Sequence, residues 1–328
     1  MHLSVIVCTY NRCRSVETLI NAFERCERAE NLDWELLIVD NNSRDATRQT
    51  IETIQKTNKT IRYAVETKQG LSHARNRGIE KSHGNYLFFM DDDAVPDRHF
   101  LTDVCKVIKD LPQVQIIGTK VISYFPDKPK WFATSGPYAL RGILGIYDLG
   151  IHYRKLTPKD PTPIGSGLLI KKSWFEEWGG FDTRLGVKGN ARITGRDEDT
   201  DLMINAMASG TILYYSPIPL VHHYPDLSRY DIGKLRLMFF GSGYFGKSFD
   251  KAGMKKILGV ERYLLKRAVL YYLKSIATFF CANIQASVYY KTRFWADLGK
   301  LTGQVFEQNE KGIQFTEKIF NKIGPWVL

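Results

Sequence analysis

Three adjacent carboxylates, Asp91, Asp92 and Asp93, follow the apolar run Tyr86-Leu87-Phe88-Phe89-Met90. Like charges this close are unfavourable unless a cation compensates them. A hard, oxygen-preferring divalent cation, Mn²⁺ or Mg²⁺, does so and keeps coordination positions for phosphate oxygens. A solvated acidic turn with Asp97 nearby has the same composition, so the run gains meaning from what surrounds it. Upstream, Gly70 opens the stretch Leu71-Ser72-His73-Ala74-Arg75-Asn76-Arg77-Gly78. Arg75 and Arg77 cannot both point one way on a helix, but one of them can meet a phosphate beside the partly positive helix N-terminus. Downstream, Gly195-Arg196-Asp197-Glu198-Asp199-Thr200-Asp201-Leu202 puts an acidic cluster at the start of a predicted helix. First-turn acids are favoured there for dipole reasons alone. The chemical alternative is a general base that deprotonates an acceptor hydroxyl. Asp199 is the candidate base, and Glu198 the group that places the acceptor. In Val221-His222-His223 adjacent strand residues face opposite sides, so only one imidazole could complete a metal shell, and a structural role for both is the alternative. His223 is the preferred ligand.

These residues need a scaffold that gathers them. The first half of the chain alternates short apolar runs with longer amphipathic stretches, as a βαβ series does. Strands are predicted at Leu3–Cys8, Trp34–Asp40, Ile61–Glu66 and Tyr86–Met90, and helices at Ser15–Cys26, Arg44–Gln55 and Leu71–Lys81. That pattern implies an α/β fold: a Rossmann-like, mostly parallel central sheet with flanking helices, whose ligand site lies beyond the carboxyl ends of the strands. Three of the four strand candidates end in polar residues, Cys8 to Arg12, Asp40 to Ser43 and Asp91 to Asp93, which should converge on one crevice. Helix capping would use the same residue types at any one of these ends. Another strand is expected over Gln113–Ser123, then a loop-rich stretch from Tyr124 to Pro163. Regular structure resumes at Ile164–Ile170, followed by a helix near Asp197–Ser209 and strands at Thr211–Ser216 and Leu220–His222. From Ile232 onward the pattern is helical and aromatic-rich, with no strand signal.

The 328 residues are 44% hydrophobic and 25% charged, which excludes global disorder and a polytopic membrane protein. The net charge of +11 is unevenly spread: residues 232–328 hold 16 Lys and Arg against 6 Asp and Glu. Such a basic tail favours an anionic partner. Five scattered cysteines without a C-x-x-C pair point to a reduced compartment, and the start of the chain carries no secretion signal.

Taken in order, these motifs resemble glycosyltransferase family 2, inverting enzymes of the GT-A fold. Val5-Ile6-Val7-Cys8-Thr9-Tyr10-Asn11-Arg12 looks like the opening strand motif and Val39-Asp40-Asn41-Asn42-Ser43 like the second. Gly70 to Gly78, Asp91-Asp92-Asp93 and Glu198-Asp199 follow at family-like separations over about the first 230 residues. The resemblance implies a nucleotide-sugar donor, UDP-linked by preference, held by Thr9, Tyr10, Asn11, Arg12, Asp40, Asn42, Arg75, Asp91 and Asp92. It assigns the metal to Asp93 with His223, the acceptor side to Gly165-Ser166-Gly167 with Glu198, and proton abstraction to Asp199. It implies a GT-A catalytic domain over 1–230, with a donor half to about 124 and an acceptor half over 125–230, and leaves 231–328 as a helical extension. The implied acceptor is a cell-envelope, lipid-linked or exported glycan.

In the extension, Lys255, Lys256, Arg262, Lys266, Arg267 and Lys274 interleave with Tyr263, Tyr271, Tyr272, Phe279 and Phe280, which suits an anionic membrane surface. The uncharged run Ser275–Tyr290 contains Asn283 and Gln285 and is too short to span a bilayer. Peripheral attachment at the cytoplasmic face of the plasma membrane is expected. Packing of the helices on protein, including a homodimer, is the alternative. A nucleotidyltransferase and a nucleic-acid-binding protein are the rival functions. Thr9-Tyr10-Asn11-Arg12 is not the Gly-rich basic loop of the first, and the second leaves the acidic clusters unexplained, so no nucleic acid partner is expected.

Overall fold

The computed structural model describes residues 2–30, 32–125, 128–189, 193, 195, 197–226, 231–246, 256–257 and 260–306. Strands β1 (His2–Thr9), β2 (Asp33–Asp40), β3 (Ile61–Val65) and β4 (Tyr86–Asp91) alternate with helices α1 (Cys13–Glu24), α2 (Thr47–Thr57) and α3 (Leu71–Lys81). Then come β5 (Ala94–Pro96), α4 (Phe100–Asp110), β6 (Ile116–Ser123), α5 (Arg141–Leu144), β7 (Arg154–Lys155), β8 (Leu168–Lys171), α6 (Lys172–Trp178), α7 (Glu198–Ala208) and β9 (Leu213–His223). One sheet joins all nine strands in the order β3-β2-β1-β4-β8-β6-β9-β5, with β7 also on β9. The pairings make β3, β2, β1, β4, β6 and β9 run in one direction, and β8, β5 and β7 against it. The sheet is therefore mostly parallel, as the βαβ pattern predicts.

The sheet is buried because its strands are apolar on both faces. Leu36, Leu37, Ile38 and Val39 of β2 are all fully buried, as are Leu87 and Phe88 of β4. Such continuous runs, rather than alternation, are what a sheet covered on both sides requires. Helix α1 packs Val16, Leu19, Ile20 and Phe23 into this core, and α4 packs Phe100, Val104, Val107 and Ile108. Their spacing of three and four residues makes one apolar stripe per helix.

Several elements depart from the sequence reading. α4 and α6, with short strands β5 and β7, fall where no element is expected. β9 is one strand rather than two: its pairing with β6 breaks between Thr119 and Val121, opposite the stretch holding Pro217 and Pro219. Proline has no N–H to give the ladder and is accommodated at such irregularities. Beyond residue 231, β10 (Lys256–Ile257) and β11 (Val260–Glu261) form a small antiparallel pair, which corrects the expectation of helices alone.

Contacts divide the chain into two compact units. The first comprises Met1–Tyr124, Leu144–Thr183 and Glu198–Pro225, and contains the large sheet. The second comprises Phe125–Ile143, Arg184–Asp197 and Asp226–Leu328. Its helices α8 (Ile232–Phe245), α9 (Arg262–Phe280) and α10 (Ile284–Val305) surround a small core of Ile193, Phe240, Tyr244 and Trp295. α8 and α10 cross closely because glycines face each other's backbone. A Cβ on Gly243 would lie 1.9 Å from the Ala296 carbonyl oxygen, and one on Gly299 2.1 Å from that of Phe240.

Candidate active site

Strand direction decides which residues meet. Parallel β1, β2, β4, β6 and β9 deliver Thr9, Asp40, Asp91, Ser123 and His223 to one edge of the sheet. β8 runs the other way, so its beginning, with the preceding 3₁₀ turn Gly165–Gly167, arrives at the same edge. The expected convergence of strand ends is realised, and the antiparallel strand adds the glycine turn to it.

Asp91, Asp93 and His223 form a cluster in which one ligand atom from each lies within 4.8 Å of the other two. His223 Nε2 is 3.0 Å from Asp93 Oδ1, while its Nδ1 is 2.8 Å from the Leu144 carbonyl oxygen and 3.0 Å from Ser123 Oγ. A carbonyl oxygen only accepts, so Nδ1 must carry a hydrogen, and in the neutral ring Nε2 then presents its lone pair. That lone pair faces a carboxylate oxygen. Two acceptors this close call for a proton or a cation between them, and imidazole oriented through its other nitrogen is the arrangement metal sites use. Two carboxylates and one imidazole fit a divalent cation of the Mn²⁺ or Mg²⁺ kind. His222 points to the other side of the strand, with Nε2 3.2 Å from Asp97 Oδ2 and Nδ1 3.1 Å from the Tyr124 hydroxyl.

Asp92 turns inward. Its Oδ2 accepts from Thr9 Oγ1 at 2.7 Å and its Oδ1 from Arg12 Nη1 at 2.8 Å, and the same Arg12 nitrogen reaches Asp93 Oδ2 at 2.9 Å. Burial pushes the Asp92 carboxyl up to about 6, against the pull of Arg12 and the Thr9 hydrogen bond. Burial disfavours the Arg12 guanidinium, but Asp92 and Asp93 outweigh it and hold the group charged. Alternating direction along the acidic run thus gives it two jobs: Asp91 and Asp93 toward the imidazole, Asp92 toward Thr9 and Arg12.

A neighbouring network forms at the ends of β1 and β2. Buried Asp40 accepts from the Ser43 N–H and the Tyr63 hydroxyl, both at 2.8 Å. Asn11 donates its N–H to Ser43 Oγ and accepts the Arg44 N–H on Oδ1. Asn11 and Asn42 adopt positive φ, a conformation asparagine tolerates. Asn42 is exposed and Tyr10 half-buried. Asn41, not among the expected site residues, donates to the carbonyls of Glu66 and Lys68 and accepts from the Gly70 N–H, so fixing the turn that starts α3. Its only signal was an amide among polar residues at a strand end.

Of the two arginines on α3, Arg75 faces the site, whereas Arg77 pairs with Glu80 on its own helix. Buried Arg75 lies 2.5 Å from Glu198 Oε1 and 3.5 Å from Asp91 Oδ1, with its guanidinium over the Phe181 ring. Burial opposes the charge on Arg75, and Glu198 and Asp91 more than restore it. Burial also holds the Glu198 carboxyl above the ordinary carboxylate range. Next to it, Asp199 Oδ2 accepts the Gly165 N–H at 2.6 Å and Oδ1 accepts the Thr200 N–H. Ser166 Oγ accepts from the Asp91 N–H at 3.4 Å, and the Gly167 carbonyl accepts from Thr119. Glycine lets the guanidinium sit close: a Cβ at Gly165 would lie 2.2 Å from Arg75 Nη2 and push it aside. Cys8, half-buried in the same place, has its thiol pushed up to about 12, chiefly by desolvation. Direct contacts therefore link Thr9, Arg12, Arg75, the three aspartates, Gly165, Ser166, Glu198, Asp199 and His223, with Asp40 and Asn11 in the adjacent network. Arg196 lies outside the described residues.

Known proteins are similar to this chain in sequence. The family model described as glycosyl transferase family 2 matches residues 4–179. The chain is 22% identical over 253 residues to a glucosyl-dolichyl phosphate glucuronosyltransferase of Haloferax volcanii, covering 76% of this chain and 78% of that one. It is 24% identical over 248 residues to the succinoglycan biosynthesis protein ExoM of Rhizobium meliloti, covering 74% and 73%. A solved structure of S. aureus TarS, residues 1–349, aligns with a TM-score of 0.48 at 14% identity, over 94% of this chain and 92% of that one. A match over more than half of the chain, carried by an α/β sheet whose strand ends hold the expected residues, makes this protein a glycosyltransferase belonging to glycosyl transferase family 2.

Proposed function

We propose that the enzyme transfers a sugar from a nucleotide diphosphate donor, preferably a UDP-sugar, to an acceptor hydroxyl, with inversion at the anomeric carbon. The observation that carries this reading is the meeting, at one sheet edge, of the Asp91, Asp93 and His223 set with Asp199 on the Gly165 turn. Thr9, Tyr10, Asn11, Arg12, Asp40 and Asn42 hold the nucleotide, with Asp40 accepting from a base N–H. Asp91, Asp93 and His223 would hold the divalent cation. When bound, that ion neutralises charge on the diphosphate leaving group. Arg12 and Arg75 offset part of the negative charge of these acids, and Thr9 and Arg12 hold Asp92 in place beneath the donor. On the other side, Gly165-Ser166-Gly167 and Glu198 line the acceptor side. Asp199 takes the proton as the hydroxyl attacks from the face opposite the diphosphate, so no covalent enzyme intermediate is needed.

The donor half extends to about residue 124 and the acceptor half to about 230. The names of the two relatives, a dolichyl phosphate enzyme and a polysaccharide biosynthesis protein, support a lipid-linked, cell-envelope or exported glycan as acceptor. Such an acceptor suits a cytoplasmic enzyme peripheral to the plasma membrane. The test is binding and slow hydrolysis of UDP-, GDP- and dTDP-sugars, with and without Mn²⁺. One donor class should be hydrolysed in a metal-dependent way that Asp93→Asn abolishes. No response to any donor, or one indifferent to metal and to Asp93→Asn, overturns the proposal.

A further inference from the structure

Helix α9 carries an apolar stripe on its outward side. Leu264, Ala268 and Ser275 are buried, and the Ser275 carbonyl accepts from Ser287 Oγ of α10. Leu265, Val269, Tyr272, Leu273, Ile276 and Phe280 are exposed, Leu273 by 56% and Phe280 by 82%. At 100° per residue these six side chains fall within about one third of the helix circumference, beside the arc that holds the buried positions. A stripe nearly as long as a 19-residue helix is unusual on a protein surface that meets only water.

Charge decides what covers it. α9 holds Arg262, Lys266, Arg267 and Lys274 and no acidic residue. Asp297 of α10 neutralises Arg267 through a two-pronged contact, Nε to Oδ2 at 2.7 Å and Nη2 to Oδ1 at 2.5 Å. A second copy placing its own stripe against this one would set like charges against like across a two-fold axis. Anionic headgroups complement the same charges, while the stripe enters the boundary between headgroups and acyl chains. Among the described residues no helix is long and apolar enough to cross a membrane, so the helix lies along the surface. We infer that the exposed apolar face of α9 docks on an anionic phospholipid bilayer, with Leu265, Val269, Leu273 and Phe280 inserted and Arg262 and Lys266 on phosphate; Lys274 turns back over the Tyr290 ring of α10. This deepens the peripheral location proposed above, and α9 binds lipid whether or not the proposed transfer chemistry is right.

The test uses the full chain and vesicles of phosphatidylcholine alone or mixed three to one with phosphatidylglycerol. The expected result is co-sedimentation with the mixed vesicles, weakened by salt, and little with the neutral ones. Val269→Glu with Leu273→Glu should lower partitioning about tenfold or more, as should Arg262→Glu with Lys266→Glu, given roughly 1 kcal/mol for each basic residue near such a surface. Leu273→Ser, which removes apolar surface without adding charge, should give a smaller loss and guards against misfolding of the double variant. Donor hydrolysis measured without vesicles should be unchanged in all of them, which separates failure of this inference from failure of the catalytic reading. The inference is overturned if the wild type ignores anionic vesicles or if the stripe variants bind as well as it does. It is equally overturned if sedimentation velocity shows a dimer that Val269→Glu with Leu273→Glu converts to monomer, since a second copy then covers the face.

Discussion

Arg75 Nη1 lies 2.5 Å from Glu198 Oε1, joining two buried side chains that stand 123 residues apart in the chain. The pair ties α3, which follows the turn fixed by Asn41, to the first turn of α7, which carries Asp199. A buried ion pair adds little net stability over an apolar pair, yet breaking it strands a charge. Arg75→Met should therefore destabilise the fold by about 3–5 kcal/mol, read as a lower urea midpoint. Arg75→Lys should lose less, because a single ammonium replaces one contact but not the fork that also reaches Asp91.

Gly165→Ala should mimic part of that loss without touching either charge. Its Cβ would meet Arg75 Nη2 at 2.2 Å and Cζ at 2.8 Å, so the guanidinium must shift. A cost of about 1–3 kcal/mol is expected for such overpacking, together with slower sugar transfer. Equal urea midpoints and equal transfer rates for Gly165→Ala and wild type would contradict the packing.

His223→Ala should remove one of the three groups proposed to hold the metal and leave the Asp91 and Asp93 carboxylates. Mn²⁺ affinity, measured by titration calorimetry, should fall about a hundredfold or more. Ser123→Ala, which touches only the Nδ1 side of the ring, should lower it roughly ten- to a hundredfold, the usual effect of a residue that orients a ligand.

Asp199→Asn should separate binding from chemistry. Both carboxylate oxygens accept backbone N–H groups, from Gly165 and Thr200, and the amide can satisfy only one. The fold should lose about 1 kcal/mol from that bond, and donor binding should stay near wild type. Transfer to acceptor should drop by about 10²–10⁴, the range for a lost general base. A variant with normal turnover would assign the base elsewhere.

Glu35 gives a pH dependence far from the site. Burial raises its carboxyl, but the Ser4 hydroxyl, the His83 N–H and Arg62 together bring it below the ordinary carboxylate range. A depressed carboxyl contributes stability above its unfolded pKa, and that contribution is lost as pH falls through the folded one. Glu35→Gln should therefore be less stable than wild type at pH 7, by about 1–3 kcal/mol for hydrogen bonds to a charged group. The two denaturation midpoints should converge as pH falls below the ordinary carboxylate range. A gap that stays constant with pH would remove the titration account.

Much of the fold was legible because helix and strand periods are local. The bounds of α3 match the predicted helix at both ends, and β1 to β4 differ from their predicted ranges by one residue at an end, or two in total for β1. α4 carries the same local signal in Phe100, Val104, Val107 and Ile108, one apolar stripe at helical spacing, although no element is expected there. The small β10–β11 pair and the short strands β5 and β7 had no such signal, since two or three residues set no period.

The sequence by itself determined which residue types sit at strand ends, that a run of acids follows β4, and that at most one of each close pair, Arg75 or Arg77 and His222 or His223, can face the site. Tertiary structure decided the partners. Thr9 meets Asp92 across 83 residues, His223 meets Asp93 across 130, and Gly165 meets Asp199 across 34. Those contacts depend on strand order, and above all on β8 running antiparallel between β4 and β6, which carries the glycine turn to the edge where the parallel strands end. A side chain's face follows from its neighbours in the chain, but its partner follows from which strand lies alongside, and that is settled only when the whole sheet packs.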